Sequence, residues 1–229
     1  MTREEAVYEI LEIIRGNQLS DDIDIDTREV EFQLDNARAV FLRQEFNKPG
    51  RLIDNNLVQD LGCVTLEEAD PADCCEIDTG CSILRTVEEI PKAIHLFDGP
   101  AITRVGPVNK MNIKYSFVSY EQAVFSGNGK YNQQAIFAFL LNNRIYLTTK
   151  NKKAWLLDKI NIRGVFEKPS EASEFVDCDN NPCYTMASNY PINNWMYPFI
   201  RDMVLEKYGI SLKMPKDNTN NADDVKIGK

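Results

Sequence analysis

The stretch AIFAFLLNNRIYLTT, Ala135 to Thr149, decides the fold class. Two apolar runs, Ala135–Leu141 and Arg144–Thr148, flank Asn142-Asn143. Asparagine tolerates the left-handed backbone that a two-residue turn demands, so the stretch predicts a β-hairpin. On either side the texture stays the same, with short apolar runs between turn residues. Further strands are expected at Leu57–Thr65, Ser82–Thr86, Ala101–Val105 and Ile113–Val118. Trp155–Val165 reads as a third run that extends the hairpin into a meander, and Pro169 ends the pattern.

Helical spacing takes over towards the termini. Thr2-Arg3-Glu4-Glu5 reads as a capping box, in which a hydroxyl and a carboxylate satisfy the exposed amides of a first turn. Ala6, Val7, Ile10, Leu11, Ile13 and Ile14 follow at helical spacing up to Gly16. A polar, acidic connector occupies Asn17 to Asp26. Asp26, with Glu29 as reciprocal partner, caps a second helix that runs to Phe46 along the stripe Val30, Leu34, Ala37 and Phe41. Lys48-Pro49-Gly50 ends it, because a residue before proline avoids helical backbone. A last helix is expected over Pro191–Tyr208, stopped by Gly209 and kinked or broken at Pro198. The residues beyond it are poor in apolar side chains and rich in Asn and Asp, and read as a flexible tail. The expectation is an α+β fold: N-terminal helices (1–50), a mostly antiparallel strand-rich core (51–188), a C-terminal helix (189–212) and the tail (213–229).

At 229 residues the chain buries a sizeable core without needing disulfides. The net charge of −9 argues against gripping nucleic acid, which takes clustered Lys and Arg against phosphate. No run approaches the about 18 apolar residues of a membrane span, so no membrane partner is expected. MTREEAVYEI lacks the apolar segment of a signal peptide. A reducing cytoplasm is the expected place of synthesis, and stable disulfides are rare there.

The search for chemistry returns little. His95 stands alone between Ile94 and Leu96 with no motif around it. Gly127-Asn128-Gly129-Lys130 lacks the strand and helix of a phosphate loop and reads as a loop tip. Counted from Asp21, a calcium loop would need Gly at its sixth position and Glu at its twelfth, where the chain has Asp26 and Phe32. Glu67, Glu68 and Asp70 also make a carboxylate group without a motif. Six cysteines remain. Cys63 falls in an apolar run and reads as core. Cys74, Cys75 and Cys81 crowd one loop, and Cys178 and Cys183 sit four residues apart. Free or buried thiols, a metal site joining the two groups, and a disulfide are the three readings. No nucleophile, base and orienting group come together, so no catalytic residue, metal ligand set or cofactor is assigned, and the chain is not read as an enzyme.

One long run carries a resemblance. DCCEIDTGCSILRTVEEIPKAIHLFDGPAITRVGPVNK, from Asp73 to Lys110, is followed by LLNNRIYLTT and then by INIRGVFEKPSEAS. This order of short words resembles the neck or ring proteins of tailed bacteriophages, those of crAss-like phages above all. The resemblance spans Thr27 to Ser173 and, more weakly, the terminal helix. It implies a structural virion protein that forms a head-to-tail connector ring beneath the portal. The copies would be twelve, matching the portal, and DNA would pass through without specific binding. The implied partners are further copies of the chain, the portal protein and neighbouring tail or ring proteins. The implied location is the virion neck, after assembly in the host cytoplasm. A role in genome ejection follows from that place. The alternatives are another virion component, such as a tail-tube or completion protein, and a cysteine-based metal-binding module.

Trp195, Tyr197 and Phe199 are the residues singled out for contacts. Core packing of the terminal helix is one reading. Subunit or partner contact is the other, since Trp and Tyr are favoured interface anchors.

Overall fold

The computed structural model describes residues 1–16, 25–69, 82–110, 112–123, 125, 129, 131–151 and 156–209. Helix α1 spans Arg3–Ile14. The capping box forms: the Glu5 amide donates to the Thr2 hydroxyl at 3.2 Å, and the Thr2 amide donates to the Glu5 carboxylate at 2.8 Å. Helix α2 spans Thr27–Phe46, with Asp26 accepting from the Arg28 amide at 3.1 Å. Its inward face carries Val30, Leu34, Ala37 and Leu42, all buried.

Among the described residues ten strands follow: β1 (Gln59–Asp60), β2 (Val64–Glu68), β3 (Ser82–Thr86), β4 (His95–Leu96), β5 (Gly99–Pro100), β6 (Ile102–Pro107), β7 (Ser116–Phe117), β8 (Phe137–Leu141), β9 (Arg144–Thr149) and β10 (Lys159–Gly164). A one-turn helix α3 (Tyr120–Ala123) lies between β7 and β8, and α4 (Tyr197–Lys207) comes last. The expected hairpin is β8–β9, paired from Phe137 with Thr148 to Leu141 with Arg144. Asn142 and Asn143 have φ of 49° and 58°, the doubly left-handed turn that matches strand twist. The small β4–β5 hairpin stands apart as a sheet of its own.

The meander does not form. β10 pairs with β1, β2 and β6, all antiparallel, and not with β9. The free edge of β9 is already taken by β3, from Ser82 against Thr149 to Arg85 against Tyr146. The expected strand Leu57–Thr65 is interrupted at Gly62, whose φ is +64°. A Cβ there would lie 2.6 Å from the Val176 carbonyl oxygen, so the bend and the close approach both require glycine. The run Ile113–Val118 yields only the two residues of β7, which pair in parallel with β8. Upstream, the Arg104 guanidinium collects the carbonyls of Pro107, Lys110 and Ile113 at 3.0–3.2 Å and bends the segment into a loop.

The sheet curls until its two ends meet. The Tyr115 amide donates to Val105 on β6 at 2.8 Å, while the next amide, Ser116, donates to Ile136 beside β8 at 3.2 Å. Leu61, Ile145, Leu147, Ile160, Ile162 and Phe166 fill the inside of the curl. Outside it, Phe139 stacks on Tyr146 at 5.3 Å with Tyr120 edge-on. The three long helices form a separate layer around Ile10, Leu34, Ile200 and Leu205, which also takes in Ala101 and Val165 from the ends of β6 and β10.

The terminal helix starts at Tyr197 rather than Pro191, with Pro198 in its first turn. Proline has no amide to donate, and first-turn amides have no partner inside the helix, so Pro198 opens the helix instead of kinking it. The acidic connector from Asn17 to Asp24, Asp70, the loop with Cys74, Cys75 and Cys81, the residues Gly127, Asn128 and Lys130, Trp155 and the tail 213–229 lie outside the described residues.

Candidate assembly surface

Three aromatic rings meet on the outside of the helical layer. Phe41, one position off the buried face of α2, stacks on Phe199 at 5.7 Å between ring centres. Trp195 meets the same ring edge-on at 6.1 Å. Trp195 remains 49% exposed and Phe199 56%, so Phe41 organises the cluster while its partners offer their faces to solvent. Such aromatic area is dear to leave in water and is typical of interface anchors.

Tyr197 points the other way. Residues two apart on a helix lie about 200° apart around its axis, which turns Tyr197 inward when Phe199 faces out. It is buried, and its hydroxyl donates to the Ala6 carbonyl at 3.3 Å, tying α4 to α1. Burial, with Glu9 beside it, raises the pKa of its phenol well above the ordinary value. Of the three residues singled out in the sequence, two therefore share an exposed surface and the third builds the core beneath them.

A polar cleft of about 670 Å³ borders the cluster, lined by Asp54, Asn56, Tyr190, Asn193, Asn194 and Trp195 among others. Asp54 is its anchor. Its carboxylate accepts from the Asn56 amide at 3.0 Å and from the Asn193 side chain at 2.9 Å. These bonds favour the charged form and lower its pKa below the usual carboxylate value.

Beneath the cleft lies a buried charged network. Arg38, fully buried, donates through Nε to Pro191 at 3.0 Å and through Nη1 to Phe166 at 2.8 Å. One side chain thus fastens α2 both to the end of the sheet and to the strap leading into α4. Its guanidinium lies 5.7 Å from the centre of the Tyr190 ring. Asp35 accepts from the Tyr190 hydroxyl at 2.8 Å and from Arg3 at 2.7 Å, and Arg3 also reaches Glu31 at 2.8 Å. Desolvation lowers the Arg38 pKa and raises that of Tyr190 well above its usual value. The sequence carried a signal for this: Asp35 and Arg38 fall inside the apolar stripe of α2, where solvated charges do not belong.

The other candidate residues separate. His95 is exposed on β4, with Nδ1 3.1 Å from the Leu96 carbonyl. Glu67 pairs with Arg85 across β2 and β3 at 2.7 Å. Among the described residues no three His, Cys, Asp or Glu side chains are grouped to hold a metal ion. Cys63 is buried as expected, yet it is not a core thiol: it forms a disulfide with Cys178, 115 residues away. Cys183 is the free cysteine among the described residues. None of the described helices is long and apolar enough to cross a membrane.

Two comparisons relate the chain to known proteins. A family model described as phage tail ring protein 2 matches residues 5–226. A curated relative, "Ring protein 2" of Bacteroides phage crAss001, is 26% identical over 227 residues, covering 98% of this chain and 97% of that protein.

Proposed function

Because the chain belongs to the phage tail ring protein 2 family and is thus a structural ring protein of the virion, we propose that its copies close into a connector ring between portal and tail. The observation that carries this is the family match, which takes in residues 5–226 and so nearly the whole chain. The ring lies in the neck, numbers twelve copies to match the portal, and surrounds the path of the DNA during ejection. Its copies are made and assembled in the host cytoplasm. It has no catalytic step of its own.

The physical features support this reading. A closed ring needs a head-to-tail contact in which one patch of each copy meets a different patch of the next. Trp195 and Phe199 supply an anchor for such a patch, exposed in the single chain and held in place from behind by Phe41. The buried network under them keeps that surface rigid, so little ordering cost remains to be met on contact. A net charge of −9 lowers affinity for phosphate, as suits a channel that DNA must leave.

Imaging of the particle neck tests the proposal. Twelve copies of this chain between portal and tail are expected. Density for the chain in the tail tube, or a different copy number, would overturn the connector assignment while leaving a virion structural role.

A further inference from the structure

We propose that the Cys63–Cys178 disulfide is a redox-conditional staple, added to a fold that is complete without it. The chain then exists as a dithiol in reducing surroundings and as a stapled form outside them. The bond itself and its partners are read from the chain alone; only the timing in the life of a particle rests on the virion reading.

Backbone contacts dock the two cysteines before any bond forms. The Cys63 amide donates to the Val176 carbonyl at 3.1 Å, and the Cys183 amide to Phe175 at 2.8 Å. The turn between is self-contained. The Asp177 carboxylate accepts from the Asp179 and Asn181 amides at 2.8 Å each, and Asn180 takes the left-handed backbone at φ 64°. Gly62 lets this turn lie directly against the start of the sheet. Cys178 is therefore presented to Cys63 by a preformed loop, at a Cα separation of 5.2 Å that lies within the span a disulfide bridges.

Both cysteines line an open groove of about 650 Å³, together with Pro107, Val108, Ile113 and Leu156. A small thiol or disulfide reagent can enter there. Cys183, the free thiol among the described residues, is kept out of the exchange. Cys183 sits beside Gly62, and burial together with the carboxylates of Asp60 and Asp177 pushes its pKa up to about 11. It stays protonated, and only the thiolate attacks a disulfide.

The chemistry balances with a low-molecular-weight disulfide as oxidant. One protein thiolate attacks the reagent and releases its first half as a thiol, forming a mixed disulfide. The second protein thiolate then displaces the other half. One Cys63–Cys178 bond forms, one reagent bond breaks, and the two protein protons leave on two reagent thiols. The staple pins the strap that runs from the sheet, past Tyr190, to Trp195 and α4. A particle built in reducing cytoplasm and released into oxidising surroundings would stiffen the base of its assembly surface after assembly.

The full-length chain, equilibrated in glutathione buffers from reduced to oxidised and then alkylated, tests this by peptide mapping. With alkylation carried out after denaturation, the expected result is an oxidation-dependent bond joining the peptides of Cys63 and Cys178, with Cys183 alkylated throughout. Reduction should lower Tm by about 5–15 °C, given the long loop closed, while far-ultraviolet circular dichroism at 25 °C stays unchanged. Cys183→Ser should keep the bond, and Cys178→Ser should hold the lower Tm in both buffers. Alkylation of Cys63 and Cys178 in the oxidised chain, a bond to Cys183 instead, or unfolding on reduction would each overturn the proposal. A second arm compares infected-cell lysate with released particles, with thiols expected in the first and the bond in the second. The same state in both removes the timing. Absence of the chain from particles sinks the ring reading, and the titration of the purified chain still decides the staple.

Discussion

The helical layer and the curled sheet solve the same problem in opposite ways. The sheet is held by strand pairing and an apolar filling, with Ile145, Ile160, Ile162 and Phe166 wholly buried inside its curl. The helical layer places Arg38, Asp35 and Arg3 among its buried residues and leaves Trp195 and Phe199 half in water. A buried charge is costly unless fully bonded, and an exposed aromatic is costly unless covered. The buried charges among the described residues, Arg3, Asp35, Arg38 and Glu45, all lie in the helical layer, whereas exposed rings occur in both parts, since Phe97 and Tyr131 beside the strands are 90% and 92% exposed. Polar networks of this kind fix one arrangement of parts more strictly than apolar packing does, and a surface that must match a neighbour needs such fixing. On the proposed ring reading, the sheet serves as frame and the helical layer, with its network behind Trp195 and Phe199, as the contacting face.

The comparison breaks first at Arg38. Arg38→Ala strips the donors from Phe166 and Pro191 and removes a charge from the network, and is expected to cost about 4 kcal/mol in urea unfolding. A loss under about 1 kcal/mol would show that the network is not what joins the layers. Ile160→Ala, in the sheet, leaves a cavity in an apolar filling and should cost about 3 kcal/mol. That cost should not change between pH 7 and 10, because no titrating group is involved.

Alkaline pH separates the two regions further. Tyr190 and Tyr197 have folded-state pKa values raised above 10.0, chiefly by burial. Below pH 10 both folded and unfolded chains keep these protons. Above it the unfolded chain releases them first, so the stability they contribute is lost as pH rises through the folded values. Unfolding followed from pH 9 to 12 should show this loss, and Tyr190→Phe should make it shallower. An unchanged profile would contradict the buried position of Tyr190.

Smaller effects belong to local turns. Asn143→Ala puts an alanine at φ 58° and should cost about 1 kcal/mol by thermal melting. The smallest effect on the fold is expected at the proposed contact surface. Trp195→Ala and Phe199→Ala remove half-exposed rings and should cost about 1 kcal/mol or less in the isolated chain. Their incorporation into particles, read by quantitative blotting of purified virions, should nevertheless fall about tenfold or more. Normal incorporation of both variants would move the subunit contact elsewhere.

Local chemistry was legible in the sequence where neighbours in the chain settle it. The capping box at Thr2 and Glu5, and the turn at Asn142-Asn143, need only adjacent residues and form as expected. What depends on distant parts of the chain was not legible. The place of β10 follows from β3 holding the edge of β9, which no periodicity records. Cys178 finds Cys63 across 115 residues because Gly62 admits the turn that carries it. At the candidate surface, all three aromatics were visible as residue types. Their division was legible too, since in the expected helix Trp195 and Phe199, four apart, share a face opposite Tyr197; that the shared face stays half in water was not. Arg38 and Asp35 stood at stripe positions, and their misplacement there was the available sign of a buried network.

The most direct measurement is a cryo-electron microscopy reconstruction of the virion neck, at a resolution that traces side chains. The account predicts this chain in a closed ring, with Trp195 and Phe199 of each copy buried against its neighbour and Tyr197 still packed on α1. A ring in which both exposed rings face solvent, or a neck without this chain, would contradict it.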